Sequence, residues 1–121
     1  MRKTVLIIDD SPTEMSHLTG IMKKAGYTIS SATSGEEGLA KAQKEKPELI
    51  LLDVIMGGKN GFVICRELKK DPSTKDSKVI ICSTKGQESD VFWGIKQGAD
   101  GYLAKPFGED QLLNEIKKVF S

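Results

Sequence analysis

Apolar runs and segments of helical period alternate five times along this chain. The runs predict strands over Val5 to Asp9, Thr28 to Ala32, Leu49 to Asp53, Val79 to Ser83 and Gly101 to Ala104. Three of them are almost continuously apolar, as parallel strands covered on both faces must be. Between them, Met15, Leu18, Met22 and Ala25 share one face of a first helix, with Pro12 suited to its first turn, Lys23 and Lys24 to its last, and Gly26 to its left-handed terminus. Ser34-Gly35-Glu36-Glu37 reads as a capping box opening a second helix, and Pro47 forbids that helix from running into the third strand. Ile64, Cys65 and Leu68 mark a third helical stripe. Val91, Phe92 and Ile95 mark a fourth that stops at Gly98, and Leu112, Leu113, Ile116, Val119 and Phe120 a fifth. The polar stretch from Lys69 to Lys78 reads as a solvated loop.

Repeated βα units with right-handed crossovers make an α/β fold: a doubly wound, five-stranded parallel sheet of flavodoxin-like (βα)5 type, in strand order 2-1-3-4-5. In that order the first and third strands are neighbours at the topological switch point, so their terminal acids, Asp9, Asp10 and Asp53, arrive at one sheet edge. Two carboxylates ~4 Å apart at an effective dielectric of ~20 repel by about 4 kcal/mol, so a cation is expected among them. Ser83, ending the fourth strand, and Lys105, just past the fifth, reach the same edge.

Composition narrows the partners. A chain of 121 residues is expected to form a single domain, 1–121, with no output domain after Ser121. Its 18 Lys and Arg against 17 Asp and Glu give no support to nucleic-acid or membrane-surface binding. The N-terminal apolar run is too short for a signal peptide or a membrane span, and a cytoplasmic location follows as the expectation. Cys65 and Cys82 lie inside apolar patterns without metal-ligand spacing and are expected to be buried, reduced thiols.

Three acids, a hydroxyl and an amine suit phosphoryl transfer. Mg2+ prefers oxygen ligands, keeps several waters and is held by one or two carboxylates, which Asp10 and Asp53 can supply. Asp53 can also act as nucleophile and accept the phosphoryl group as an acyl phosphate. Lys105 would neutralise the transferring oxygens, and Ser83 would bond one of them after transfer. Each residue alone has a plainer reading. Asp10 or Ser11 could cap the first helix. Tyr102 could be a half-buried strand aromatic, and His17 an ordinary exposed histidine. Trp93, beside Phe92, suits core packing and a partner-facing anchor about equally.

Taken together, Asp9-Asp10, Asp53, Ser83, Tyr102 and Lys105-Pro106-Phe107 stand in the order and spacing of bacterial response-regulator receiver domains, and the chain resembles the CheY-like family over essentially its whole length. The resemblance implies Asp53 as phospho-acceptor, Asp10 as a direct metal ligand, Asp9 as one acting through water, and the Ile55 carbonyl as a further ligand. It implies Lys105 as the phosphoryl contact, with a cis bond to Pro106, and Ser83 with Tyr102 as a switch pair. It implies Mg2+ as cofactor, a sensor histidine kinase as phosphoryl donor, and an output protein contacted through the fourth helix, fifth strand and fifth helix of a monomer. More narrowly, Asp9-Asp10-Ser11-Pro12-Thr13-Glu14 and Ser83-Thr84-Lys85-Gly86-Gln87-Glu88 resemble the PilH-type stand-alone receivers of type IV pilus chemosensory systems.

Two departures from the family pattern bear on lifetime. Gly57-Gly58 stands where proline is common, leaving the loop freer at an entropic cost of about 1 kcal/mol on ordering. Ile55 carries no polar group to orient an attacking water, and Thr84 and Lys85 add bulk nearby, so slow self-dephosphorylation is expected. Other readings of the same acids are a Mg2+-dependent phosphohydrolase using Asp53 as nucleophile, or a phosphate sink for a shared kinase. A haloacid-dehalogenase-like hydrolase needs an acid two residues after its nucleophile, where Ile55 stands. A flavodoxin-like redox carrier needs a Ser/Thr-rich phosphate loop where this chain has acids.

Overall fold

The computed structural model describes residues 3–57 and 60–121. The loop expectation for Gly58 lies outside the described residues. Five strands, β1 (Thr4–Ile8), β2 (Thr28–Ala32), β3 (Leu49–Leu52), β4 (Lys78–Ser83) and β5 (Gly101–Ala104), alternate with five helices, α1 (Pro12–Lys24), α2 (Gly35–Glu45), α3 (Gly61–Lys70), α4 (Glu88–Lys96) and α5 (Glu109–Phe120). The strands form one parallel sheet in order β2-β1-β3-β4-β5, the expected doubly wound topology.

Alternate residues of the buried strands feed two apolar layers. Leu6, Ile8, Ile50, Leu52, Val79 and Ile81 pack with Ala42 of α2 and Ile64, Cys65 and Leu68 of α3. Val5, Ile7, Leu49, Leu51, Ile80 and Cys82 pack with Leu18 and Met22 of α1 and Leu112 and Ile116 of α5. Such two-sided covering is why these strands read as continuous apolar runs.

The helix ends follow their local chemistry. Ser11 caps α1, its Oγ accepting from the Glu14 amide at 3.3 Å, so the cap is Ser11 and not Asp10. Ser34 caps α2 by accepting from the Glu37 amide at 3.1 Å, but Glu37 returns its carboxylate to the Thr33 amide, one residue earlier than a capping box requires. Gly26 and Gly98, at φ of +91° and +104°, take the left-handed conformation just past α1 and α4.

Four further expectations are corrected. β1 and β3 end one residue before their acids: the amides of Asp9 and Asp53 still bond the Ala32 and Ile8 carbonyls, but their side chains fold over the following backbone. In α4 the buried position is Gly94, and Phe92, Trp93 and Ile95 are exposed, because the helix seats Gly94 against the Tyr102 ring and Ile81. In α5, Phe120 is likewise exposed. The stretch before β4 is not a freely solvated loop, since Thr74 and Ser77 are buried and donate to the carbonyls of Leu68 and Pro47.

Both cysteines are buried and unpaired with each other. Burial pushes the Cys65 thiol up to about 12 and the Cys82 thiol up as well. Neither should react with a disulfide reagent at pH 8 in the native protein, and both should react on unfolding in denaturant. Native labelling faster than global unfolding would contradict this packing. Because the folded state holds these protons more tightly, their contribution to stability is intact below pH 9 and declines as pH rises above it.

Candidate functional site

Register places the site. Ile8 lies opposite Leu52, so the next residues after the two strands, Asp9 and Asp53, emerge side by side at the C-terminal sheet edge. Each acid then fixes its own exit turn. Asp9 Oδ1 accepts from the Ser11 amide and Asp53 Oδ1 from the Ile55 amide, both at 2.9 Å. That leaves Oδ2 of each free for a shared partner.

The partner is Lys105. Its amide bonds the Ser83 carbonyl at 2.8 Å, extending the β4–β5 pairing by one residue, and the Lys105–Pro106 bond is cis. Its Nζ donates to Asp9 Oδ2 at 2.8 Å and to Asp53 Oδ2 at 3.1 Å, with the lysine side chain only 4% exposed. The cation expected between the acids is therefore supplied, in this arrangement, by the protein itself. Burial alone would lower the Lys105 ammonium, but its hydrogen bonds to Asp9 and Asp53 and their charges outweigh that and hold its pKa above the usual lysine value. Burial raises Asp9, against the opposing effects of Lys105 and the Ser11 amide.

The remaining residues take separate places. Asp10 is exposed, and its Oδ2 lies 3.4 Å from the Gly57 amide across the switch-point crevice. Among the described residues no three His, Cys, Asp or Glu side chains gather into a ready metal group. The oxygen donors of Asp9, Asp10 and Asp53 nevertheless suit a hard ion that needs only one or two carboxylates and completes its shell with water. Ile55 gives its amide to Asp53 while its side chain is exposed.

Ser83 and Tyr102 meet at one residue. The buried Ser83 Oγ accepts from the Lys85 amide at 3.2 Å, and the Tyr102 hydroxyl donates to the Lys85 carbonyl. The Tyr102 ring lies where a β-carbon on Gly94 would come within 2.8 Å of it. Burial, with the charges of Asp90 and Asp53, raises the Tyr102 phenol to about 12. Two residues escaped the sequence reading. Glu14 Oε1 stands 3.9 Å from Lys105 Nζ, and its place on the first turn after Asp9-Asp10 was the available signal. Gly94, a lone glycine inside α4, signals a close approach. His17 is exposed as expected, its ring 6.1 Å from that of Phe107, and Trp93 faces outward.

A carboxylate held against one ammonium at a sheet edge, beside further acids and a buried hydroxyl, can accept an electrophilic phosphoryl group and neutralise its oxygens. Known proteins share the sequence pattern and the fold. Residues 5–117 match the response regulator receiver domain family. The chain is 47% identical to Protein PilH of Pseudomonas aeruginosa over 117 residues, covering 97% of each. It is 36% identical to chemotaxis protein CheY of Thermotoga maritima, covering 98% of each. With the longer transcriptional regulator RpaA of Synechocystis it is 38% identical but spans 48% of that protein. The crystal structure of chemotaxis protein CheY4 of Vibrio cholerae superposes with a TM-score of 0.91 at 30% identity, over 98% of this chain and 99% of that one. Fold, site order and these likenesses agree: the chain belongs to the response-regulator receiver family, the phosphorylation-dependent switches of two-component signalling.

Proposed function

We propose that Asp53 accepts a phosphoryl group from the phosphohistidine of a sensor kinase, and that the resulting charge resets the contacts around Lys85. The observation supporting this most directly is the single Lys105 ammonium shared by Asp9 and Asp53. An Asp53 carboxylate oxygen forms the new bond to phosphorus while the P–N bond to the imidazole breaks. The imidazole leaves with the electron pair and takes up a proton. Lys105, already 3.1 Å from Asp53, transfers one hydrogen bond to a phosphoryl oxygen. Bound Mg2+, held by Asp10 and Asp53 with Asp9 through water and the Ile55 carbonyl, would add charge neutralisation.

Ser83 reads out the new charge. Its Oγ only accepts from Lys85, so its O–H remains able to donate to a phosphoryl oxygen. A move by Ser83 pulls on the Lys85 amide, and through the Lys85 carbonyl on Tyr102. Tyr102 lies against α4, so the face of α4, β5 and α5, with Phe92 and Trp93 exposed on α4, changes its affinity for an output protein by population shift. Ile55 offers no group to orient water, which favours a long-lived adduct. Self-phosphorylation and slow self-dephosphorylation are then its only catalysis.

The narrower resemblance and the identity to PilH favour a chemosensory system controlling motility. The reading includes a cytoplasmic, monomeric protein that binds no nucleic acid. No helix among the described residues is long and apolar enough to cross a membrane. Incubation with acetyl phosphate and Mg2+, followed by intact-mass measurement, should show one phosphoryl group per chain and none in Asp53→Asn. Rapid multiple turnover of donor, or undiminished labelling of the variant, would overturn the reading in favour of a hydrolase or a different acceptor.

A further inference from the structure

Glu14 has no part in the chemistry described so far, yet its carboxylate stands close to the lysine of the site. Its Oε1 lies 3.9 Å from Lys105 Nζ, and its side chain is about one-third exposed. Together with Thr13, His17, Lys105, Pro106 and Phe107 it lines an open cleft of about 270 Å³. Lys105 is thus the wall between this cleft and the acid pair. A phosphoryl oxygen bonded to Lys105 at the usual charge-assisted distance falls within about 7 Å of Glu14, by the geometry of the shared nitrogen. That separation is below the Debye length at physiological salt, so a donor in transfer feels the Glu14 charge.

We propose that Glu14 is a specificity residue that selects phosphoryl donors by the charge of their leaving group. The proposal rests on Asp53 being the acceptor. With acetyl phosphate, the Asp53 oxygen bonds phosphorus as the P–O bond breaks, and acetate departs as an anion carrying the electron pair. With phosphoramidate, the P–N bond breaks and ammonia departs as a neutral molecule from a nitrogen that was cationic in the donor. With a phosphohistidine, the P–N bond breaks and the imidazole departs with the electron pair. A carboxylate fixed within that distance disfavours the first donor and tolerates or attracts the nitrogen donors. Its net result is a receiver that answers a kinase better than it answers acyl phosphates in solution.

The test compares the initial rates of Asp53 labelling by acetyl phosphate and phosphoramidate, at one pH and saturating Mg2+, in wild type, Glu14→Gln and Glu14→Asp. Glu14→Gln should accept acetyl phosphate about three- to tenfold faster at low ionic strength, with phosphoramidate unchanged or slower. Glu14→Asp keeps the charge and should retain the wild-type ratio of the two donors. In about 1 M salt, the three proteins should converge. An equal donor ratio in all three at low salt overturns the proposal. So does a Glu14→Asp variant that behaves as Glu14→Gln. If no donor labels wild type, or if labelling survives Asp53→Asn, the acceptor reading itself fails, which is a separate result.

Discussion

Lys105→Met should lose about 2–4 kcal/mol of stability at neutral pH and slow phosphoryl transfer to Asp53 by about 100-fold or more. The side chain it replaces is almost wholly enclosed, and its ammonium is the hydrogen-bond partner of both Asp9 and Asp53. Methionine fills similar space, so the loss is electrostatic: a buried Asp9 is left without its counter-charge. The cost is limited because Asp9 can take up a proton, its pKa being already raised by burial. Denaturation curves of the variant should therefore approach wild type as pH falls. The alkaline side behaves oppositely. Lys105 has its folded pKa raised, so its contribution is complete below the ordinary lysine value of 10.5 and is lost as pH climbs through the folded value. The variant should lack that alkaline loss. Added Mg2+ should stabilise the variant more than wild type, because a divalent ion can replace the missing charge. A variant as stable as wild type between pH 6 and 8 would show that the shared ammonium is not holding the acids together.

Gly61→Ala should be more damaging than any other glycine replacement outside the turns, at about 3 kcal/mol or more by equilibrium unfolding. A β-carbon there would stand 2.3 Å from Val54 Cα and 2.7 Å from the Asp53 carbonyl oxygen. Both are backbone atoms, so no side-chain rotation relieves the clash, and the segment that must move carries Asp53. Transfer rate should fall with stability. Gly20→Ala is the internal contrast: it lies within α1 with nothing within 4 Å of its new methyl group, and should gain about 0.5–1 kcal/mol. Equal effects of the two changes would refute the close packing of α3 on the β3 exit.

The sheet order and the meeting of Asp9 with Asp53 were legible because strand burial writes itself as continuous apolar residues, and because a parallel sheet puts its chemistry at one edge. Charge balance was half legible. Repulsion among the acids called for a cation, but nothing local to Lys105 says that its Nζ, and not a metal alone, meets that demand. Pairings across 96 and 52 residues depend on where the chain returns, which periodicity does not encode. The apolar stripe of α4 misled for a related reason. Phe92 and Ile95 have helical spacing, yet a helix that buries a glycine presents its large residues to solvent. The hydroxyls of Thr74 and Ser77 were missed because short polar residues look solvated until their carbonyl partners are known.

The far end of the sheet from the acids is tied by Asp100. Its Oδ2 accepts from the Val79 amide at 2.8 Å and from Lys69 Nζ at 3.0 Å, and the same lysine bonds the Ser77 carbonyl. One carboxylate thus fastens the end of α3, the start of β4 and the approach to β5. Ser83 and Lys105 stand at the opposite end of β4 and β5, where Lys105 is tied in turn to Asp9 and Asp53. A new charge on Asp53 therefore acts at the end of β4 and β5 remote from this tie, next to Lys85 and Tyr102. The contacts that such a charge meets first, Ser83 with Lys85 and Lys85 with Tyr102, lead towards α4, while the Asp100 tie holds the other end of the same strands.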